Sequence, residues 1–594
     1  MYRAPLKDLG FVLHQLLDQS QLTASAAFSD YSPELADSIL AEAGKFAENV
    51  LDPLYKSADR EGAHWTPDGV TTPAGFKAAY DQFVAGGWPA LRASAAHGGQ
   101  GAPTVLGTAV EELWAGANLA FKLCPMLTQG AIEALEQAAS PALQHVFLPR
   151  MVTGEWTGTM NLTEPQAGSD LAQIRTRATP DGDHYRLFGQ KIFITYGEHD
   201  FTDNIIHMVL GRIEGAPLGV KGVSLFAVPK FLVNVDGSLG ARNDVQCISI
   251  EHKLGIHGSP TCVMAYGQKA GAIGYLIGEA NRGLEYMFVM MNAARLSVAL
   301  EGYAIAERAF QQAADWARSR VQGKPPVAAA SGPLPIIHHP DIKRMLLTMK
   351  SLIEAMRALA LFVAFNLDLA SAHADPVQRA AYQARGDLLI PVVKGWSTEN
   401  GIELASLGIQ VHGGMGFIEE TGAAQVLRDA RITTIYEGTT GIQANDLIGR
   451  KIGRDRGAAM GAMLADMTRE LEALTGNVPA VRIARAAALA AVAQLRDGTT
   501  ALLSYAAATP DRALAVAVPF LKLTGTVMGG WLMAKSADAA ARLIAGGSSD
   551  LEFLQGKLVT ARFYAEQVLP QALALVAVVK GGAGSVVETD AALI

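Results

Sequence analysis

Cysteine is scarce in this chain of 594 residues, which holds only Cys124, Cys247 and Cys262. The three are far apart and show no CxxC spacing, so the sequence predicts neither a disulfide framework nor a cysteine zinc site. The HExxH pattern is also absent, and no metal is expected. Reduced cysteines that pack in the interior are typical of a cytoplasmic protein, which is the predicted location.

Charge is also sparse, at 18% of the residues against 50% hydrophobic residues, which excludes a disordered chain. The formal net charge is -8, no Lys/Arg tract occurs, and residues 451–594 hold 14 Lys/Arg and 12 Asp/Glu. Nucleic-acid binding is therefore not expected. The apolar stretch 513–534 contains Pro519 and Lys522, so no membrane span is predicted. The apolar patch near the N-terminus is short and interrupted by His14, so no secretory signal is predicted.

The periodicity of apolar residues divides the chain into helical and β-like parts. Residues 1–34 read as an N-terminal extension, 35–155 as a helical domain, 156–284 as a β domain, 285–451 as a second helical domain and 452–594 as an additional helical domain. Short runs bounded by Gly, Asp or Pro predict strands at 185–188, 191–195, 205–210 and 223–228. Because strands and helices are segregated, the predicted class is α+β.

Two segments at the start of the β-like part could meet a planar ligand. The first, Met160–Asp170, has Pro165 and Gly168 and must be a loop that exposes backbone groups and hydroxyls. In the second, Gly189–Thr195, strand alternation places Phe193 and Thr195 on one face. Taken alone, the first segment is better explained by an ordinary turn between domains, and for the second a half-buried strand that ends in Thr is a common alternative.

Two further segments lie in the second helical part. The glycines of Gln410–Phe417 would let a phosphate or ribose approach the backbone, although no βαβ unit surrounds them. In Arg431–Gly441, Glu437 stands before Gly438, so a carboxylate there could reach a substrate. If Glu437 is buried, desolvation would make it a stronger base. A helix-to-helix turn and a surface Glu are the ordinary alternatives.

Together, LTEPQAGSD, GQKIFIT, QVHGGMGF and RDARITTIYEGTTGIQ resemble the acyl-CoA dehydrogenase family in order and separation. The resemblance covers most of residues 35–450. It implies an α+β fold with an N-terminal helical domain, a middle β-barrel-like domain and a C-terminal four-helix bundle. The extra helical domain after residue 451 is similar to that of long bacterial members.

The resemblance also implies FAD as cofactor and assigns residues to it. Leu162, Thr163, Ser169, Phe193 and Thr195 match positions around the flavin, where Phe193 stands in place of a usual Trp. The remaining FAD positions are Arg320, Gln322, Gln410, Gly413, Gly414 and Thr439, of which Arg320 and Gln322 match contacts made to the diphosphate of another subunit.

Glu437 matches the catalytic base of most members of the family. Some relatives carry the base just before the residue that matches Arg295, and here that position is Ala294, which cannot act as a base. Substrate contacts are implied for Ser169, Asn292, Arg295, Tyr436 and Gly438. Two departures stand out: Gly441 replaces a frequent Gln, and the connection Gly323–Pro335 differs from the common pattern.

The implied reaction is α,β-dehydrogenation of an acyl-CoA to a trans-2-enoyl-CoA. This is the kind of reaction that begins a cycle of fatty-acid β-oxidation. Methylthiopropanoyl-CoA or a short- or medium-chain fatty acyl-CoA is the expected substrate. The implied partners are an electron-transfer flavoprotein and further copies of this chain, as a dimer or a dimer of dimers. An acyl-CoA oxidase of the same fold and a non-catalytic or DNA-binding relative are the alternatives.

Overall fold

The computed structural model describes residues 1–234, 236–326 and 332–594, which form two compact units. The first unit comprises Met1–Gly44, Thr104–Gly116 and Val298–Ile594, and the second comprises Lys45–Pro103 and Ala117–Ser297. Residues 327–331 of the Gly323–Pro335 connection lie outside the described residues.

The second unit contains all the described strands. They are β1 (His64–Thr66), β2 (Gly69–Thr71), β3 (Trp156–Asn161), β4 (Arg177–Asp181), β5 (His184–Thr195), β6 (Asn204–Ile213), β7 (Ser224–Pro229), β8 (Phe231–Val233), β9 (Leu239–Arg242), β10 (Val245–Ile250), β11 (Thr261–Tyr266) and β12 (Ala272–Ile277). The four predicted strand segments coincide with β5, β6 and β7 except for Val223, which precedes β7, and β5 joins two of the segments into one long strand.

Five of these strands pair in a closed ring. β4 pairs with β5 and β6, β5 pairs with β12, β12 with β7, and β7 with β6. A closed ring leaves these strands without a free hydrogen-bonding edge along their paired stretch. Its interior is apolar, because each ring strand contributes a residue that is fully buried: Ala178, Leu187, Val209, Phe226, Val228 and Ala272.

β5 serves two parts of the sheet. Its first half lies in the ring, where Leu187 pairs with both Ala178 and Ala272. Its second half, from Gly189 to Thr195, leaves the ring and pairs with β11. The register slips by one residue near Phe193, which has a positive φ of 60° and forms a bulge.

The helices of the second unit are α4 (Tyr55–Glu61), α5 (Phe76–Ala85) and α7 (Pro141–Val152). The interpretation of residues 1–155 as helical was wrong in one place, because β1 and β2 form a hairpin around Pro67 and Asp68. Proline and aspartate favour a tight turn over a helix interior. The indole of Trp65 in this hairpin donates to the carbonyl of Cys247 at 3.0 Å.

The first unit is helical throughout its described residues. Its helices are α1 (Leu6–Phe11), α2 (Ser20–Thr23), α3 (Pro33–Phe46), α9 (Pro340–Ala372), α10 (Pro376–His412), α11 (Ala423–Ala430), α12 (Thr440–Asp446), α13 (Ala458–Glu472), α14 (Pro479–Ala508), α15 (Pro510–Ala515), α16 (Ala517–Ala545), α17 (Leu551–Phe563), α18 (Gln571–Gly581) and α19 (Ala583–Val587). Two long helices, α6 (Thr104–Ala138) and α8 (Gly283–Ser319), contribute residues to both units.

Helices α8 and α10 approach each other closely in the first unit. A Cβ atom added to Gly302 would lie 2.5 Å from the carbonyl oxygen of Ser397, and one added to Gly401 would lie 2.5 Å from the carbonyl oxygen of Gly302. Only glycine allows two helix backbones to meet at this separation. The contact fixes α8 against the part of α10 that carries Lys394.

Within the part of the chain that the structure describes, no helix combines the length and the apolar character needed to cross a membrane.

Candidate active site

The loop Leu162–Asp170 follows β3 and is fastened to β5. The backbone N–H of Ile192 donates to the carbonyl of Thr163 at 2.9 Å. The ammonium of Lys191 donates to the carbonyl of Leu162 at 2.9 Å. The structure therefore brings the first two predicted segments together within the second unit.

A buried ion pair secures this loop. Lys191 has no exposed side-chain surface and lies 2.8 Å from Oε1 of Glu164, whose side chain is 3% exposed. The same carboxylate accepts hydrogen bonds from the N–H groups of Arg175 and Thr176 and from the Thr176 hydroxyl. The Gln166 amide is a fifth donor, at 2.6 Å from Oε2. A buried carboxylate with five donors is fully compensated, so the loop has one well-defined position.

The pKa values of the pair follow from these contacts. Burial raises the pKa of the Glu164 carboxyl, but the opposing effects of Lys191, Thr176 and Arg175 prevail and lower it to about 2. Burial lowers the pKa of Lys191 to about 8, although Glu164 opposes the change. Both groups are therefore charged at neutral pH, and their attraction replaces the water that each has lost.

This pair predicts an acid-sensitive contribution to stability. The pKa of Glu164 is lower in the folded than in the unfolded chain, so its contribution is complete above the usual 4.5 and is lost as the pH falls towards about 2. We expect the free energy of unfolding to fall more steeply over this range in the wild type than in the double variant Glu164→Gln/Lys191→Met. Urea titrations at several pH values measure both slopes, and equal slopes would contradict the assignment.

The accessible side chains beside this pair are the ones that could contact a ligand. Ile194 is buried in the β core, whereas Phe193 and Thr195 on either side of it are 59% exposed and half-buried, respectively. Thr163 is half-buried and Leu162 is buried. Ser169, farther along the loop, is exposed. Backbone groups, two hydroxyls and an aromatic ring at one strand end are suited to a planar, uncharged heterocycle.

In the first unit, Glu437 lies in the turn that precedes α12 and is half-buried. Its φ is +56° and that of the following Gly438 is +94°. A non-glycine residue in the left-handed region is strained by roughly 1–2 kcal/mol, and such strain persists only where surrounding contacts enforce it.

Two buried side chains supply those contacts from neighbouring helices. The Gln443 amide donates to the carbonyl of Glu437 at 3.0 Å and to that of Gly438 at 3.3 Å. The Lys394 ammonium, on α10, donates to the carbonyl of Gly438 at 2.7 Å. Thr439 is exposed and caps α12, because its hydroxyl accepts from the N–H of Ile442 at 3.3 Å.

A third group of predicted residues lies where α8 and α10 end. The indole of Trp316 and the imidazole of His412 stack with 5.4 Å between ring centroids, and the Arg320 guanidinium lies 5.9 Å from the Trp316 ring. Burial lowers the pKa of His412, so the ring that stacks on Trp316 is neutral. The exposed Arg320 and Gln322 are thereby placed near the exposed Gln410, Gly413 and Gly414.

The backbone at Gly413 and Gly414 is open to a ligand. Gly413 has a φ of +63°, and a Cβ atom added to either glycine would meet no atom within 4 Å. The glycines therefore do not serve packing in this chain. Together with a guanidinium and two carboxamides, they form a surface suited to the diphosphate and adenosine parts of a dinucleotide.

The structure does not bring this third group and Glu437 to one place. Lys394, which holds the Glu437 loop, precedes Gln410 on α10 by about 24 Å along the helix axis. The predicted substrate residues Asn292 and Arg295 lie on the early part of α8, where Asn292 is half-buried and Arg295 is 3% exposed.

Models of known families match almost the whole chain. The N-terminal domain model of acyl-CoA dehydrogenase matches residues 33–155, the middle domain model residues 159–267, and the C-terminal domain model residues 281–453. The chain belongs to the acyl-CoA dehydrogenase family. A further model, described as acetyl-CoA dehydrogenase C-terminal like, matches residues 456–590.

Individual members of the family resemble this chain over its full length. The 3-methylmercaptopropionyl-CoA dehydrogenase of Ruegeria pomeroyi is 48% identical over 96% of both chains. The crystal structure of Caenorhabditis elegans ACDH-11 in complex with C11-CoA has a TM-score of 0.78 at 22% identity, covering 96% of this chain and 92% of that one. An acyl-CoA dehydrogenase from Bacillus anthracis complexed with FAD has a TM-score of 0.72 at 20% identity, with the same coverage.

Membership of the family confirms the predicted fold class, the enzyme class, FAD as cofactor and dehydrogenation of an acyl-CoA as the reaction. The boundaries at residues 34, 155, 284 and 451, and the individual site residues, stay predictions.

Sequence reasoning missed four residues that hold the site: Glu164, Lys191, Lys394 and Gln443. Two had a signal, because Lys191 shares the strand parity of the core residue Leu187, and Lys394 interrupts the apolar run 388–396.

Proposed function

We propose that this chain dehydrogenates an acyl-CoA thioester with Glu437 as the base that removes the α-proton. The position of Glu437 supports the proposal: a half-buried carboxylate in an enforced left-handed turn, followed by a glycine. Such a turn presents the side chain in one orientation without a Cβ atom from the next residue beside it.

Other residues of the chain bind the acyl-CoA, polarise its thioester carbonyl and orient its reacting carbons. The backbone N–H of Glu437 polarises the thioester carbonyl, which acidifies the α-hydrogen. Asn292 and Arg295 contact the CoA portion, and Tyr436, Gly438 and Ser169 contact the acyl-pantetheine portion. FAD, when bound, accepts the β-hydride, so that a trans-2-enoyl-CoA leaves.

The residues present fit FAD in two separate groups. Leu162, Thr163, Ser169, Phe193 and Thr195 offer backbone groups, hydroxyls and a ring to the isoalloxazine. Thr439, in the Glu437 loop, is a further residue proposed to contact FAD. Arg320, Gln322, Gln410, Gly413 and Gly414 offer charge and open backbone to the diphosphate and adenosine. The proposal is that the second group serves the FAD of another copy, as the resemblance to the family implies for Arg320 and Gln322.

We propose methylthiopropanoyl-CoA as the principal substrate, on the strength of the 48% identity with the Ruegeria pomeroyi enzyme. Short-chain fatty acyl-CoAs are the second choice. Electron-transfer flavoprotein is the proposed acceptor. The three buried cysteines support a cytoplasmic location.

Anaerobic titration of the flavin-loaded protein with methylthiopropanoyl-CoA, butyryl-CoA and octanoyl-CoA tests the function. The visible absorbance of the flavin is expected to bleach at stoichiometric substrate, with methylthiopropanoyl-CoA reacting fastest. Fast reoxidation by oxygen with release of peroxide would assign an oxidase instead. Absence of bleaching together with salt-dependent DNA binding would assign a non-catalytic relative.

The proposed exchange of residues between copies predicts an effect of Arg320. Arg320→Ala is expected to weaken FAD binding by roughly 10–100-fold, because a charge-assisted contact to a phosphate contributes about 1.5–3 kcal/mol. Flavin retained after gel filtration with light scattering measures the effect. Arg318→Ala, an exposed guanidinium on the same helix end, is the matched control. A flavin-loaded monomer would refute the exchange.

A further inference from the structure

Glu301 is a buried carboxylate on α8 that directly contacts the residue before the proposed base. Its side chain has no exposed surface, and Oε2 accepts a short hydrogen bond from the phenol of Tyr436. A carboxylate in the interior is destabilising unless donors compensate for the lost water. The burial of this carboxylate beside the Glu437 loop therefore points to a role in the site.

Tyr436 is suited to act as a permanent donor. Burial of the phenol, and then the negative charges of Glu301 and Glu437, raise its pKa well above the usual range. The phenol stays protonated at any pH at which the enzyme works.

The turn that carries Glu437 is thus anchored by side chains from three helices. On the side that follows Glu437, Gln443 of α12 and Lys394 of α10 hold the carbonyls of Glu437 and Gly438. On the side that precedes it, Glu301 of α8 holds the ring of Tyr436. The close backbone contact of Gly302 with α10 fixes Glu301 relative to Lys394.

We propose that Glu301 is a positioning residue for the dehydrogenation, acting through Tyr436 to hold the carboxylate of Glu437 in its reactive orientation. The inference rests on the proposed role of Glu437 as base. Without Glu301, the preceding half of the turn would lose its side-chain anchor, and the strained φ of +56° at Glu437 could relax. The acyl-CoA would still bind, but the carboxylate of Glu437 would no longer point at the α-hydrogen of the substrate.

Four variants test this role: Glu301→Leu, Tyr436→Phe, the combination of both, and Glu301→Gln. Flavin reduction by acyl-CoA is followed in an anaerobic stopped-flow instrument. Glu301→Leu and Tyr436→Phe are expected to reduce flavin about 10–100-fold more slowly, since a displacement near 1 Å has that effect. Flavin content should stay unchanged in both variants, and the dissociation constant for acyl-CoA should stay unchanged in Glu301→Leu, which does not touch a proposed substrate contact. The isotope effect with an α-deuterated substrate should rise in both.

The remaining variants separate positioning from mere packing. Glu301→Gln retains an oxygen that accepts from Tyr436 and is expected to restore most of the rate. The double variant should be no slower than either single variant, because the two side chains act as one unit.

Wild-type rates in Tyr436→Phe, a slow Glu301→Gln, or multiplied effects in the double variant would each overturn the inference. If Glu301→Leu does not fold, Tyr436→Phe and Glu301→Gln still decide. Failure of the proposed function looks different, because the wild type would then not be reduced by any acyl-CoA, or Glu437→Gln would remain active.

Discussion

Replacement of Glu437 by Gln is expected to lower turnover by about 10²–10⁴-fold, the usual contribution of a general base. Glutamine has nearly the same shape as glutamate but cannot accept the α-proton. Steady-state turnover with methylthiopropanoyl-CoA and an artificial electron acceptor measures the loss, and the spectral perturbation of the flavin on adding acyl-CoA reports binding.

The variant should otherwise be intact. The turn is held through the main-chain carbonyls of Glu437 and Gly438, and glutamine leaves both of these bonds in place. FAD and acyl-CoA should therefore bind as in the wild type. Glu588→Gln, at an exposed carboxylate on the C-terminal helical part, is the matched control and should show normal turnover. If Glu437→Gln kept more than a tenth of the wild-type turnover, Glu437 would not be the catalytic base.

The second large effect is expected for Lys191→Met, which should lower the free energy of unfolding by about 3–5 kcal/mol. Methionine fills a similar volume but leaves the carboxylate of Glu164 buried without its counter-charge. It also removes the donor that holds the carbonyl of Leu162. Urea unfolding and the ratio of flavin to protein after purification measure the change, and both should fall.

A double variant identifies the cause. Glu164→Gln/Lys191→Met removes both charges, so it should recover more than half of the lost stability, because the penalty of an unpaired charge is gone. It should not recover flavin retention to the same degree, since Leu162 still lacks its donor. A loss below 1 kcal/mol in Lys191→Met would show that the pair is not needed for the loop.

Much of the secondary structure could be predicted from local pattern. Residues with a physical reason to end a helix mark helix ends in the C-terminal part: α13 ends before Gly476, α14 before Pro510 and α16 before Gly546. Strands β6 and β7 are apolar runs bounded by turn residues, so their positions were equally clear.

Pairing between distant strands could not be predicted in this way. The ring closes because β4 pairs in parallel with β6 and antiparallel with β5, which depends on side chains far apart in sequence. Strand alternation also gave no warning of the bulge near Phe193. A slip of one residue is set by the partner strand, here β11, and not by the sequence of β5 alone.

The candidate site shows the same division. Glu437 and the glycines of Gln410–Phe417 could be found because short motifs carry them. The side chains that hold the site in place, such as Gln443 and Glu301, lie on helices where a polar residue usually faces solvent. Only the packing of α8, α10 and α12 reveals that these residues are buried.

The anchoring of the Glu437 turn has a consequence for how such enzymes can change. Lys394 and Gln443 donate to main-chain oxygens, so these contacts do not depend on which side chain occupies position 437. Evolution or protein engineering could therefore replace Glu437 and introduce a base at another position without changing the contacts that hold the turn. Asparagine and glycine, which tolerate a left-handed backbone, would fit position 437 with little strain.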